Sequence, residues 1–334
     1  MRRIFCFIAL LGLLPIPASA WGLTGHYLIS TAAAQRLPDE VPAFMRSPAA
    51  IAELGALGPE LDRSKGSGQP HDADLDPGHY VDLGDDGKIE GVVELDSLPT
   101  SRGDYDTKLR GANTNEYAQG YLPYALLDGW EQVRTDFAIW RVEQVGENKA
   151  ASGDDRAWFA KDRALREILT LRDIGVWGHY VGDASQPLHV TYHFNGWGKF
   201  PNPNSYSMST SLHSQFESGF VRANASLAGV LAHVRPYAPC NCTIQQETAA
   251  YLRATWSQVV PLYVLEKRLG FSSAQPETVE FMQARLGDGA TAFRDLIVEA
   301  WRQSADVKVG YPRGLTPKDA EAGTAIPARG LFGD

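Results

Sequence analysis

Residues 156–189 read RAWFAKDRALREILTLRDIGVWGHYVGDASQPLH, and this stretch decides the fold class. Apolar residues recur at helical spacing from Arg156 to Val181, which predicts one long amphipathic helix. Within it His179 and Asp183 stand four apart, so an imidazole and a carboxylate share one helix face and converge on one point. Pro187 cannot continue that helix; the chain turns there and can return His189 toward the same point from a loop. A second pair with the same spacing, His213 and Glu217, follows in Leu212-His-Ser-Gln-Phe-Glu217. One such pair is ordinarily a cap or a surface ion pair. Two pairs with a further histidine between them point to a metal, and imidazole nitrogen with carboxylate oxygen suits zinc.

The same periodicity extends over Glu116–Val145, Gln215–His233, Gln245–Leu269 and Glu277–Ser304, and a helix is expected from His26 to about Leu37. Alternating strand patterns are scarce, so the chain reads as all-α. Gly, Pro and Asp mark 55–78 as a loop, and Asn195–Thr210 is a second loop expected at a cleft mouth. Asp72-Ala-Asp74-Leu-Asp76 resembles the start of an EF-hand loop, but Pro77 and Leu83 occupy the places of the required Gly and Glu, which excludes calcium there. The stretch Val309–Asp334 is rich in Gly and Pro and is expected to be a tail over the surface or without order.

Residues 1–20 read as a secretory signal: Arg2 and Arg3, an apolar run from Ile4 to Leu14, and small residues at Ala18 and Ala20. The run is too short to span a bilayer. An exported protein follows, periplasmic or extracellular, with no transmembrane segment; it is expected as a monomer without a stable protein partner. Cleavage after Ala20 would make Trp21 the first residue, whose amino group and carbonyl oxygen could chelate a metal; simple burial of the ring is the plainer alternative. About 314 residues remain, with 44% of the whole chain apolar, enough for one large core over residues 21–308. Once Cys6 leaves with the signal, Cys240 and Cys242 are the remaining thiols, able to pair across one residue.

Trp21-Gly-Leu-Thr-Gly-His26, then Asp62, His79, His179, Asp183, His189, His213 and Glu217 resemble, in order, the nine-ligand set of the zinc-dependent phospholipase C and single-strand nuclease superfamily. The resemblance implies an all-α fold with long loops, three zinc ions at the base of a cleft, and hydrolysis of phosphate esters. It further implies that Asp62, His79, His179 and Asp183 hold the first zinc; His189, His213 and Glu217 the second; and Trp21 with His26 the third, Asp183 bridging the first and third. Zinc would make hydroxide available near neutral pH for in-line attack on phosphorus. Lys65, three residues after Asp62, stands where the nuclease branch has an arginine, so Asp62 and Lys65 are the candidate catalytic pair; a solvated surface lysine is the competing reading.

The branches divide on details. The spacings from Trp21 to His26 and from His189 to His213 resemble the nucleases, as does His79-Tyr80-Val-Asp82, where Tyr80 would stack on a base and Asp82 would bond its edge. Glu217 resembles the phospholipases. Single-stranded nucleic acid or nucleotides are therefore the expected substrate, with phospholipid head groups as the alternative; for the latter, Trp197 and Phe200 could dip into a lipid interface. The net charge of −9, or −11 without Arg2 and Arg3, argues against extended duplex binding. The hundred residues between His79 and His179 exceed what the nucleases carry, which points to extra helices near 104–154. His71, His193 and His233 fit no ligand position, His193 lying nearest the site.

Overall fold

The computed structural model describes residues 21–332 apart from 64, 66, 67, 69 and 313. The signal reading for residues 1–20 lies outside the described residues. The chain is all-α. Its main helices are α1 (Gly22–Gln35), α2 (Pro48–Leu57), α3 (Arg102–Gly111), α4 (Leu122–Lys149), α5 (Gly153–Asp183), α6 (Leu227–His233), α7 (Ile244–Trp256), α8 (Val259–Leu269) and α9 (Pro276–Gln303). Among the described residues the sheet content is one two-stranded antiparallel ribbon, Lys88–Ile89 with Val93–Glu94. No helix among them is long and apolar enough to cross a membrane.

The frame is the α4–α5 hairpin. Ser152 starts α5 by accepting the Asp155 N–H, satisfying one of the free donors of the first turn. A short connection between two long helices makes them antiparallel neighbours, and the cross-contacts follow that order: Trp177 meets Leu126 and Gly129, Trp140 meets Glu167, and Phe159 meets Gly146. Gly129 is required for this approach, because a Cβ there would lie 2.0 Å from the Trp177 ring. The buried aromatics Trp130, Phe137 and Phe159 sit on this hairpin, which is therefore part of the core. Helix α1 is sandwiched among α2, α5 and α9 and is buried along most of its length, which leaves it no polar face. It begins at Gly22, ahead of the expected start at His26.

Three expected helices are interrupted, each for a local reason. Glu116–Val145 breaks at Gly120, which adopts φ +76°, and α4 restarts with Pro123 in its first turn, where the missing N–H costs nothing. Gln245–Leu269 breaks at Ser257–Gln258 because Pro261 has no N–H to continue the ladder and must lie in a first turn. Gln215–His233 breaks at Ala225–Ser226, where Ser226 caps α6 by accepting the Gly229 N–H. The described residues of the Gly- and Pro-rich end form a strap: Val309 pairs with Leu315, and Pro317–Ala322 is a helix lying on α4. Val309, Leu315 and Phe332 cover Ala138, Ile139 and Val142, and Arg141 pairs with Glu321 at 2.7 Å. Residues 70–75 form a short helix, not a calcium loop.

Glu143 lies fully buried in the α4–α5 seam. Burial, and then the Asp162 carboxylate beside it, push its carboxyl up to about 9. A carboxyl raised in the folded state contributes stability that is complete below its unfolded value and is lost as pH rises through the folded one. The thermal stability of the wild-type protein is therefore expected to fall as pH rises from about 5 to about 9, and Glu143→Gln should flatten that decline. An unchanged slope in the variant would reject this role for Glu143.

Candidate metal centre

The last turn of α5 brings His179 and Asp183 onto one buried face, both without solvent exposure. The His179 Nδ1–H donates to the Gly58 carbonyl, 2.8 Å away, which leaves Nε2 as the lone-pair nitrogen. That nitrogen is 3.4 Å from Asp183 Oδ2 and 3.6 Å from Asp62 Oδ1. His26, from the first turns of α1, stacks on the His179 ring with centroids 3.8 Å apart and reaches Asp183 Oδ1 at 3.4 Å. Gly182 makes room for it, since a Cβ there would lie 2.8 Å from His26 Nδ1. His79, at the end of the 3-10 turn Asp76–His79, brings Nδ1 to 2.9 Å from Asp183 Oδ2.

His189 comes from the short 3-10 turn Pro187–His189, and its Nδ1–H donates to the His79 carbonyl at 2.6 Å. Its free Nε2 faces Glu217 Oε2 at 3.5 Å, and His213 Nε2 lies 2.8 Å from the same oxygen without the alignment of a hydrogen bond. The expected regular helix through His213 and Glu217 is corrected here: residues 212–214 are α, 215–220 are a π segment, and 221–224 return to α. A π segment inserts into a helix only where packing or a site holds it, and here it carries Glu217.

Eight side chains thus gather in three groups, the first two sharing His179: His26, His179 and Asp183; Asp62, His79 and His179; and His189, His213 and Glu217. Within each, the donor atoms lie within 4.8 Å of one another. Both nitrogens of His26 and of His213, both oxygens of Glu217, and Asp183 Oδ1 are buried without a hydrogen bond. Leaving so many buried polar atoms unpaired would be costly unless a cation binds them. Electrostatics point the same way. Burial holds His26 and His179 down at about 4 and His213 at about 3, the neutral form a metal needs. Burial raises Asp183 to about 6 and Glu217 to about 7, so these carboxyls lack positive charge. The donor set fits divalent metal. Trp21 is wholly buried, its indole N–H shared between the Gly182 carbonyl (2.9 Å) and Ser185 Oγ (2.8 Å), and its own carbonyl accepts the Gly25 N–H.

Above the donors opens a cleft of about 310 Å³ lined by Lys65, Asp76, His79, Tyr80, Asp82, Ala118, Leu188, His189, Phe194, Asn195 and His213. The surface alternative for Lys65 is corrected: its side chain is 8% exposed, and Nζ lies 3.0 Å from Asp62 Oδ1. Burial would lower this amine, but Asp62 and Asp183 outweigh it and hold it above its ordinary value, so it remains a cation. The Tyr80 hydroxyl donates to the Tyr117 carbonyl at 3.0 Å, which fixes the ring in the cleft wall. Burial, helped by Glu90, pushes Asp82 up to about 8. Next to the cleft, sharing Asp82 and Phe194 with it, runs a wider trough lined by Asp85, Asp86, Glu90, Tyr192 and Phe200.

The expectation that Trp197 dips outward is also corrected. Trp197 is buried, its N–H donating to the Pro201 carbonyl; Phe194 and Phe200 are the aromatics exposed at the mouth. His193 and Asp85, which the ligand pattern left out, are joined at the trough, and His233 pairs loosely with Glu280. Cys240 and Cys242 form a disulfide.

No family model matches this chain, and no curated protein matches it. Among solved structures it is similar to the alpha-toxin of Clostridium perfringens isolated from avian strain SWCP. That similarity covers 87% of this chain and 68% of the toxin, with 13% identity and a TM-score of 0.37. At that level the reading of the site rests on its own geometry.

Proposed function

We propose that this protein is a metal-dependent hydrolase of phosphate esters. The observation that carries the reading is the convergence of His26, Asp62, His79, His179, Asp183, His189, His213 and Glu217 beneath one cleft, with a buried cation, Lys65, at its edge. Zinc held by these residues, with Trp21 completing the set if it begins the mature chain, would supply fixed positive charge and an activated water near neutral pH. The chain's own groups do the rest. Lys65, held by Asp62, is positioned to neutralise a phosphoryl oxygen as charge develops on it. Leu188 and Phe194 give the cleft an apolar wall, which lowers the local dielectric beside Lys65 and strengthens its interactions. Asp82, whose carboxyl burial pushes toward the protonated form, can offer both an O–H donor and an acceptor to the uncharged part of a substrate.

Two substrate readings have specific support. Tyr80 and Asp82 lining the cleft favour a nucleotide base, stacked and bonded at its edge. The carboxylates of Asp85, Asp86 and Glu90 with the exposed Phe194 and Phe200 favour a zwitterionic phospholipid head group, because a polyanion laid along that trough meets like charge whereas a cationic group meets carboxylates and aromatic faces. We adopt the second, since the trough continues directly from the cleft. The test is a parallel assay of purified zinc-loaded protein on single-stranded DNA, RNA and short-chain phosphatidylcholine. Turnover of nucleic acid without lipid turnover reverses the choice, and no turnover of any phosphate ester rejects the class. Tyr80→Ala separates the readings further: on the head-group reading KM for lipid changes less than about twofold, whereas loss of a stacked base raises KM for a nucleotide roughly tenfold.

A further inference from the structure

His193 is fully enclosed and bonded at both ring nitrogens. Nδ1 lies 2.8 Å from the Trp197 carbonyl oxygen and Nε2 lies 2.9 Å from Asp85 Oδ1. The ring stacks on Trp197 at 3.8 Å and meets the edges of Tyr192 and Phe200. A carbonyl oxygen can only accept, and so can an ionised carboxylate. Both contacts are therefore made together only when both ring nitrogens carry protons.

The position of this residue gives that chemistry a use. Two chain segments form the seam of the cleft, one running from His79 through Asp82 to Asp85, the other from His189 to Asn195. The Val81 N–H donates to the His189 carbonyl and the Tyr192 N–H to the Leu83 carbonyl, and the His193–Asp85 pair closes the solvent end of the same seam. Asp82 on one segment and Phe194 on the other line both the cleft and the trough. Besides Asp85, the titratable groups against His193 are Tyr192, whose hydroxyl accepts the Asp85 N–H, and Tyr263 of α8, whose hydroxyl bonds the His193 carbonyl.

We propose that His193 is a positioning residue, an imidazolium latch that holds Asp85 against the loop and so sets the separation of Asp82 and Phe194 across the substrate entrance. When the ring loses one proton, the neutral form keeps its bond to Trp197 and turns a lone pair toward Asp85. The Asp85 side chain, 59% exposed, then swings into water and the entrance widens. The latch acts on substrate reach, not on the chemical step, and its effect on substrate rests on the hydrolase reading above. Its structural half does not.

The experiment has two arms, both on the zinc-loaded full-length mature protein. In the first, nitrogen and carbon NMR follows the His193 ring against pH. Two protonated ring nitrogens in the closed state are expected, with the Asp82 and Phe194 signals shifting as the ring loses its proton. In the second, KM for bis(p-nitrophenyl) phosphate and for short-chain phosphatidylcholine is measured over the same interval. KM is expected to rise up to about fivefold through the His193 transition, the scale of one partly exposed ion pair, while kcat is unmoved by it. Asp85→Asn provides the decisive variant, since an amide N–H can donate to a neutral Nε2: the latch should stay closed and the pH step in KM should vanish, read on bis(p-nitrophenyl) phosphate, which has no cationic group to lose a trough carboxylate. His193→Gln should remove the step by leaving KM high throughout. A single neutral tautomer at all pH values, signals of Asp82 and Phe194 that ignore the titration, or a KM step that survives Asp85→Asn would each overturn the latch. If neither substrate is turned over, the hydrolase reading fails, and the NMR arm still decides the latch.

Discussion

Asp183→Asn is expected to reduce hydrolysis by about a thousandfold or more, beyond the 10- to 100-fold that loss of an outer partner of a metal ligand costs. Asp183 sits at the middle of the cluster. Its Oδ2 faces His79 and His179 and its Oδ1 faces His26 and, at 3.8 Å, His189. An amide keeps the size and loses the charge that would hold a cation between those imidazoles. The same substitution should leave the metal-free protein as stable or more so. Burial raises the Asp183 carboxyl to about 6, so its contribution is complete below the unfolded value near pH 4 and lost as pH rises through about 6. At pH 8 the metal-free wild-type protein carries a buried charge that the variant lacks. Activity should therefore collapse while the melting temperature of the stripped protein holds or rises. A variant that melts lower without metal and binds zinc as well as the wild type would remove Asp183 from its central role.

Removing metal from the wild-type protein is expected to abolish hydrolysis and to lower Tm by on the order of 10 °C. Each site at a hundredfold excess of free metal over Kd contributes about 2.7 kcal/mol to the folded state. With more than one ion bound, as proposed, these contributions add, and a domain of this size or somewhat smaller shifts by roughly 2 °C for each kcal/mol. The gain should also depend on pH. Ligand atoms must be unprotonated to bind, and in the metal-free site Glu217 takes up a proton near pH 7 and Asp183 near pH 6. Metal-dependent stabilisation should then shrink as pH falls below about 7, whereas His26 and His179, held near 4, compete little in that range. Calorimetry with and without chelator at pH 6 and pH 8 measures both effects. A Tm indifferent to chelator would show that the buried donors are satisfied without a cation.

Much of the fold was legible because helical periodicity and the positions of Pro and Gly act locally. The run from Arg156 to Val181 needed nothing beyond its spacing, and α5 forms around it with only its ends extended. The interruptions at Gly120, Ser257 and Ser226 were less visible, since an amphipathic pattern continues across a break when both halves pack on the same core. The π segment at Glu217 was not legible at all: an extra residue in a helix turn leaves no periodic trace over so short a span. Of the site, the residues at short spacing announced their shared face, but the surroundings of Lys65 did not. Asp62 stands only three positions away, its carbonyl accepting the Lys65 N–H, but the approach of Asp76 and the enclosure of the lysine side chain are tertiary facts. His193 failed every ligand pattern because its partners are a carbonyl and an aspartate more than a hundred positions away.

The donors around Asp183 come from chain positions that lie far apart: His79 meets Asp183 across 104 residues, His179 meets His79 across 100, and His179 meets Gly58 across 121. In the unfolded chain, any ion that pins two of these together closes a loop of that length, an entropic cost that grows only slowly with loop size but must be met before the core forms. A protein this helical would ordinarily fold quickly through local contacts, yet its centre is made of distant ones. The cluster should consequently assemble late in folding and, once loaded, act as a cross-link threading four parts of the chain. Unfolding then has to release the ions before the helices can separate, so persistence of the loaded protein in a protease-rich setting becomes a matter of metal off-rate more than of helix stability.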